Sequence, residues 1–214
     1  MKNLKSNTSG LSLIELLIAL MVMSIVLTAA VTLAYAMSSA YESTKNMSDK
    51  QAQIRYSALR LSELIKNCRL ICAKFSSYIV IWRADDNEDN RINVSEIVYI
   101  ETGSSANYLR LLQFYPTSSA ADAWVLLSNL QNWNYKGSLI KTYPKRYTTL
   151  LDQCRNVKIE LGDDKYPPYT KQVNISFDIN EDGRYRTCQI SAALRCQAGN
   201  LIKDSQTIKS VDDD

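Results

Sequence analysis

The feature that most limits how this chain can fold is an uncharged apolar run near its N-terminus. It extends from Leu16 to Met37, 22 residues without a charge, a glycine or a proline. As an α-helix these residues would span about 33 Å, enough to cross the hydrocarbon core of a bilayer. Glu15 stands directly before the run, and a carboxylate in lipid is costly unless it has a partner or a function. The sequence therefore predicts a membrane helix with one functional acid at its edge.

A short polar leader precedes this helix. It contains Lys2 and Lys5 and ends at Gly10, five residues before Glu15. A basic leader, a glycine, an acid at this spacing and an apolar helix together resemble the N-terminus of type IV pilin superfamily precursors. The resemblance implies that a prepilin peptidase and N-methyltransferase cuts after Gly10 and modifies Leu11. Leu11 is a departure from the family, which more often has Phe or Met at this position.

The resemblance also assigns a role to Glu15, which becomes the fifth residue of the mature chain. If subunits pack their helices side by side with a stagger, this carboxylate meets the N-terminal amine of a neighbour. The attraction between two such charges is stronger in lipid than in water, so it can set the register of assembly. Cleavage after Gly10 is the step that creates the amine at the required height.

Three other interpretations of the N-terminus explain fewer of its features. A secretory signal peptide shares the basic start, and Ala34-Tyr35-Ala36 is similar to its cleavage site, but the apolar run exceeds the usual 7–15 residues. A plain membrane anchor explains the length of the run and leaves the spacing from Gly10 to Glu15 without a reason. A buried helix of a soluble protein is rarely apolar all round for six turns.

Composition narrows the function classes. The chain has 214 residues, a formal net charge of +3 and no histidine. Loss of the two leader lysines lowers the net charge to +1, which is too small to indicate a basic surface for nucleic acid. The absence of histidine excludes Ser-His-Asp and Cys-His catalysis and the usual zinc ligand sets. We therefore expect no enzyme and no nucleic-acid partner.

Beyond the membrane segment, the helical pattern continues. From Leu11 to Ala73 there is neither glycine nor proline, so we expect one unbroken helix with a membrane part at 11–37 and an amphipathic part at 38–73. The amphipathic part would pack on a sheet, with a coiled coil to another subunit as the alternative. The apolar stripe that supports both is Met47, Gln51, Ile54, Ala58, Leu61, Ile65, Cys68 and Cys72.

The rest of the chain is rich in β-forming residues, which predicts an α+β fold with an antiparallel sheet over 74–198 and a polar tail at 199–214. Asn180 to Gly183 is typical of a hairpin turn. An insertion at 116–150 holds a short helix at Asp122–Leu130. The predicted strands are Tyr78–Trp82, Ile97–Glu101, Tyr108–Tyr115, Val157–Leu161, Gln172–Phe177 and Tyr185–Leu194.

The five cysteines include no C-x-x-C pair, so a thioredoxin-like redox site is unsupported. If the domain is exported, up to two disulfides can form, with small buried hydrophobic residues as the alternative interpretation. The alternation of the last strand places Cys188 and Cys196 on the face that meets the helix stripe. We therefore expect a disulfide between the helix and this strand, although the sequence does not determine which cysteines pair. Its candidates are Cys68, Cys72, Cys188 and Cys196.

The segment Asp85–Glu96 matches the twelve-residue calcium loop in its spacing of oxygen ligands. Asn90 stands where glycine is expected, although asparagine tolerates the left-handed conformation well. The flanks are strand-like, so only the loop of an EF-hand is shared, and an acidic turn held by Asx hydrogen bonds is the alternative. The candidate ligands are Asp85, Asn87, Asp89, the Arg91 carbonyl, Asn93 through a water, and Glu96.

A second acidic run repeats the theme more weakly. Asp178, Asn180 and Asp182 have the spacing of the first three ligands, but Gln189 occupies the twelfth position. We expect calcium to prefer the first loop, and no cofactor other than calcium.

The predicted function is therefore structural: a subunit processed at Gly10 and assembled with other pilin or pseudopilin subunits. The long helix, the sheet domain and the closing Ala192-Ala193-Leu194-Arg195 are similar to J-type minor pseudopilins of type II secretion. This implies the bacterial inner membrane, an extracytoplasmic C-terminal domain and assembly into a filament. The alternative is a single-pass membrane-anchored module that binds an exported protein or a surface ligand.

Overall fold

A computed structural model describes residues 12–103, 105–118, 122–162, 166–181 and 183–195. The leader, with Gly10 and Leu11, and the polar tail lie outside the described residues, as do Asp182 and Cys196. The chain separates into two compact units, residues 1–50 and 51–214. The architecture is a long N-terminal helix followed by antiparallel sheets, which confirms the predicted α+β class.

The N-terminal helix, α1, spans Leu13–Asn67. It ends earlier than the predicted Ala73, because the backbone N–H of Arg69 donates to the carbonyl of Trp82 at 2.9 Å and begins a strand. The spacing of Cys68 and Cys72 continues the helical stripe by coincidence, and pairing with the next strand overrides it.

In the first unit, the apolar side chains of α1 are exposed from Leu13 to Met37. The serine and threonine hydroxyl groups in this stretch bond to carbonyls of the preceding turn, as when Thr28 Oγ1 donates to the Ser24 carbonyl at 2.7 Å. Ser24 and Thr32 do the same. The segment is long and apolar enough to cross a membrane, and these three hydroxyl groups are satisfied within the helix, as a bilayer favours.

The second unit contains two antiparallel sheets. A five-stranded sheet has the order β1-β2-β3-β4-β5, and a three-stranded sheet has the order β6-β7-β8. The strands are β1 (Leu70–Lys74), β2 (Tyr78–Trp82), β3 (Ile97–Thr102), β4 (Leu109–Phe114), β5 (Lys145–Leu151), β6 (Cys154–Leu161), β7 (Gln172–Glu181) and β8 (Arg184–Ala193).

The hairpin between β7 and β8 is confirmed, with Glu181 paired to Arg184. Gly183 has a φ of +80°, a conformation that favours glycine, and its N–H donates to Asn180 Oδ1 at 2.9 Å. On β8 the burial alternates as expected, with Ile190 and Ala192 inward, and Leu194 directly after the strand is also buried. The alternating apolar pattern and the Asn-to-Gly turn together determine the register of this hairpin.

One hydrophobic core lies between α1, the three-stranded sheet and one face of the five-stranded sheet. Leu61 and Ile65 of α1 are fully buried in it, and Ile54 and Ala58 pack at its margin. Ser57 Oγ and Gln53 Nε2 both donate to the carbonyl of Leu150, at 2.8 and 3.2 Å. In this unit the stripe therefore packs on sheets, as predicted.

A second core covers the other face of the five-stranded sheet. Val80 and Trp82 of β2 point into it, while Ile79 and Ile81 point into the first core. The covering layer comes from the 116–150 insertion, whose helices are α2 (Leu127–Leu130) and α3 (Tyr135–Thr142). The short helix predicted over 122–130 is thus only four residues long, and α3, β1 and β5 were not predicted.

We predict that Leu127→Ala lowers the free energy of unfolding by about 2–5 kcal/mol, because Leu127 is 1% exposed beneath the sheet. Leu126→Ala is the matched control, because the side chain of Leu126 is 41% exposed. This substitution should lower the free energy of unfolding by less than about 1 kcal/mol. Urea titration followed by tryptophan fluorescence measures both. Equal losses in the two variants would contradict the covering role of the insertion.

Candidate functional site

Glu15 lies in the first turn of α1, where its carboxylate has a local partner. The backbone N–H of Ser12 donates to Glu15 Oε2 at 2.9 Å. Ser12 precedes the helix, so this is the glutamate half of a capping box. The Ser12-x-x-Glu15 spacing of a capping box is present in the sequence. The sequence interpretation assigned Glu15 only a role in the membrane, so it did not predict this cap.

This contact gives Glu15 two chemical properties. A negative charge in the first turn is favourable to the helix dipole, and the cap satisfies one N–H that has no partner inside the helix. Only one oxygen is used in this contact, and the side chain stands at the start of a long apolar segment. Glu15 can therefore cap its own helix and still accept a cation from another molecule.

The acidic loop between β2 and β3 is held by its own side chains. Asp85 Oδ1 accepts from the Asp89 N–H at 3.1 Å, and Asp85 Oδ2 accepts from the Asn90 N–H at 3.1 Å. Asn87 and Asn93 both donate side-chain N–H groups to Asp89 Oδ2. Asn90 has a φ of +55°, the left-handed conformation expected where a calcium loop has glycine. The Arg91 N–H also donates to Asp89 Oδ1, at 2.7 Å, so five of the six predicted ligand residues lie in one hydrogen-bonded cluster.

Glu96, the predicted bidentate ligand, faces a different set of partners. It is 1% exposed, and its carboxylate accepts from Trp82 Nε1 at 2.9 Å and from the N–H groups of Asp86 and Asn93 at 2.7 and 3.1 Å. Burial raises the pKa of Glu96 above its usual range, against the lowering effect of these donors. The side chain ties the loop to the sheet.

An arginine supplies positive charge to the same loop. Arg69 Nη1 donates to Asp85 Oδ2 at 2.7 Å and to Asn90 Oδ1 at 3.3 Å, and its guanidinium lies 5.1 Å from the Trp82 ring centroid. Within the described part of the chain, no three Cys, Asp or Glu side chains converge in a way that could hold a metal. Calcium at this loop stays a prediction, and binding through the full ligand set requires Glu96 to leave Trp82.

The second acidic run has a similar local network. Asp178 accepts from Thr187 Oγ1 and from Asn156 Nδ2, both at 2.7 Å, and these bonds lower the pKa of its carboxyl. Asn180 Oδ1 is used by the hairpin turn, and Asp182 lies outside the described residues. This arrangement explains the sequence pattern as a capped hairpin, and calcium here remains an untested prediction.

The cysteines are distributed over both cores. Cys68 and Cys154 are buried in the first core, Cys188 packs at its edge, and Cys72 lies on β1 in the second core. Burial raises the pKa of the Cys154 thiol to about 11, and it also raises the pKa of Cys72. The stripe therefore does not bring Cys72 to the face that Cys188 occupies. The disulfide prediction stays open for Cys68, because Cys196 lies beyond the described residues.

We predict that calcium binds the first loop weakly, with a Kd of about 10⁻⁴ to 10⁻³ M, because Glu96 must exchange three hydrogen bonds for the ion. Calorimetry with calcium chloride on the full chain should give a saturable heat that Asp89→Ala removes. Asp152→Ala, which removes an exposed acid outside the loop, is the control. The absence of any heat in the unaltered protein would contradict the prediction.

Comparison with known proteins bears on the N-terminus. Residues 5–31 match the family described as the prokaryotic N-terminal methylation motif. No curated protein and no solved structure matches the chain. The motif, followed by the long apolar helix α1, fits a type IV pilin-like protein.

Proposed function

We propose that this chain is a minor pilin-like subunit of the pseudopilin kind, cleaved after Gly10 and assembled through α1 into a filament. The observation that carries the proposal is the coincidence of two features at one place. The methylation motif at 5–31 includes both Gly10 and Glu15, and the helix that begins at Leu13 exposes an apolar surface. Neither feature alone requires assembly, but a processed N-terminus on an apolar helix serves it directly.

The chemistry of assembly follows from the charges at the start of the helix. Cleavage after Gly10 would leave an amine on Leu11, four residues before the carboxylate of Glu15. In the low dielectric of lipid an unpaired carboxylate is driven to neutralise or to find a cation. The amine of a neighbouring subunit, staggered along the helix, supplies that cation and sets the register.

The surface of α1 suits lateral packing with other helices. Its apolar side chains are exposed from Leu13 to Met37, and the hydroxyl groups of Ser24, Thr28 and Thr32 donate to carbonyls of their own helix. Helices in a membrane associate through close packing, because lipid offers no hydrophobic driving force between them. Other pilin or pseudopilin subunits are therefore the partners that this surface fits.

We further propose that the domain after α1 is extracytoplasmic, with the helix in the bacterial inner membrane, and that the machine is a type II secretion pseudopilus. The N–H of Arg195 donates to the Lys66 carbonyl at 3.1 Å, and its side chain reaches Asn67. The chain therefore returns to the end of α1 one residue before Cys196, which supports a Cys68–Cys196 disulfide. Such a bond forms in an oxidising compartment.

We predict that replacing Gly10 with phenylalanine blocks removal of the leader, since the peptidase must accommodate the residue before the cut. Co-expression with a prepilin peptidase, followed by intact-mass measurement, should show loss of residues 1–10 and N-terminal methylation in the unaltered chain only. Ser9→Ala, one position earlier, is the control and should be cut normally. An unaltered chain that stays uncut would favour a plain membrane anchor.

We predict that Glu15→Gln impairs incorporation into filaments as severely as Glu15→Ala. Glutamine keeps an oxygen that can accept from the Ser12 N–H, so the cap survives while the charge is lost. The two variants therefore separate capping from charge pairing. Quantitative immunoblotting of sheared filaments and of the membrane fraction measures incorporation against insertion.

Normal incorporation of the glutamine variant would show that Glu15 acts only as a cap. Normal incorporation of both variants would overturn the assembly role of this residue altogether.

The second candidate is a membrane-anchored module that binds a ligand through its sheet domain. A cavity of about 500 Å³ against α3 is the observation that favours it. The two functions differ in their N-termini, because an anchored module needs no cleavage after Gly10. An enzyme ranks behind both, since known members with this motif serve as structural subunits.

A further inference from the structure

A cavity opens between the β1–β2 turn and α3, on the far side of the five-stranded sheet from α1. Its volume of about 500 Å³ lies within the range of about 300–1,000 Å³ that is usual for small-molecule sites. The rings of Phe75 and Tyr78 form its aromatic wall, with centroids 4.6 Å apart. Ile140 of α3 adds an aliphatic surface. Neither the N-terminal motif nor assembly through α1 uses this cavity.

The cavity does not present a free charge. Of the described residues that line it, only Lys136 is charged. Its ammonium pairs with the buried carboxylate of Glu101 and lies 4.2 Å from the Tyr78 ring centroid. Because this cation is already paired with Glu101, the site offers little to an anionic ligand, and its described lining holds no carboxylate that would pair with a cationic one. Its occupant should be neutral.

The rim of the cavity carries a tryptophan whose side chain is largely unburied. Trp133 is 70% exposed, although an indole is among the most costly side chains to leave in water. Trp133 lines the cavity, and its backbone carbonyl accepts from the Tyr78 hydroxyl at 3.4 Å. The side chains of Ser76, Ser77 and Asn134 beside it make no hydrogen bond to any residue that the structure describes.

We propose that this cavity binds a sugar ring of a neutral glycan. A pyranose has a face of C–H groups that packs on an exposed aromatic ring, and a rim of hydroxyl groups that both donate and accept hydrogen bonds. Trp133 supplies the aromatic face, and the hydroxyl and amide groups of Ser76, Ser77 and Asn134 supply partners for the rim. The combination of exposed indole, uncharged polar groups and a paired lysine matches this ligand in shape, polarity and charge.

A glycine among the lining residues leaves space beside the site. Gly137 stands inside α3 and lines the cavity, and a Cβ built on it would meet no atom within 4 Å. Glycine in a helix interior is less favourable than almost any other residue, so Gly137→Leu should strengthen α3 while it fills the cavity. This variant separates loss of binding from loss of folding.

The test uses the full chain in a zwitterionic detergent that contains no sugar, because a maltoside would compete for the site. Two neutral probes distinguish the sources of a pyranose: a tetramer of N-acetylglucosamine for cell-wall glycans, and maltotetraose for glucose polymers. We expect saturable binding of at least one probe by calorimetry, with a change in tryptophan fluorescence. Trp133→Ala and Gly137→Leu should each weaken binding at least tenfold, with the thermal midpoint of Gly137→Leu unchanged or raised.

Trp124→Ala is the matched control, since Trp124 is also an exposed indole, 56% exposed, but lies outside the cavity against Arg91. Its binding should equal that of the unaltered chain. The proposal is overturned if neither sugar binds or if binding survives Gly137→Leu. These outcomes are independent of leader cleavage, so they leave the proposed assembly function standing.

Discussion

The fold of the second unit depends on a sheet that is apolar on both faces. Strands β2 and β3 alternate large apolar residues in both directions, as Ile79 and Ile81 do against Val80 and Trp82. Such a sheet cannot leave either face in water, because each buried aliphatic side chain contributes about 1.5–3 kcal/mol. One face is covered by α1 and the three-stranded sheet, and the other by the insertion with α2 and α3. The insertion is therefore a structural layer of the domain, and α3, which helps to cover the second face, also lines the cavity beside Trp133.

The sequence alone predicted the elements whose periodicity is strong. The long helix, β2 at Tyr78–Trp82 and the β7–β8 hairpin follow from breaker-free, alternating or turn-bounded stretches. The prediction of secondary structure from sequence was wrong where the local preference of a segment disagrees with its pairing in the folded domain. Leu70–Lys74 extends a helical stripe in sequence but pairs with β2 in space, and α3 contains Gly137, which weakens its helical signal.

The candidate site was predictable in its residues but not in their contacts. The spacing of Gly10 and Glu15 was sufficient to predict the processing motif, whereas the cap from Ser12 to Glu15 was overlooked. In the acidic loop, spacing identified the oxygens, but the direction of Glu96 depends on Trp82, a residue of another strand. Side-chain direction within a loop is set by such distant partners, and a one-dimensional pattern does not contain them.

The hydrogen bond between Arg195 and Lys66 has a consequence for biogenesis. Strand β8 contributes Ile190 and Ala192 to the core that holds Leu61 and Ile65, yet it follows the other described strands in the chain and is therefore made after them. Until β8 is made, the apolar stripe of α1 at Leu61 and Ile65 is incompletely covered, and apolar surface exposed in this way promotes aggregation and chaperone binding. A chain interrupted before β7 would therefore expose part of its first core, so a fully covered core distinguishes a chain whose translation has reached β8.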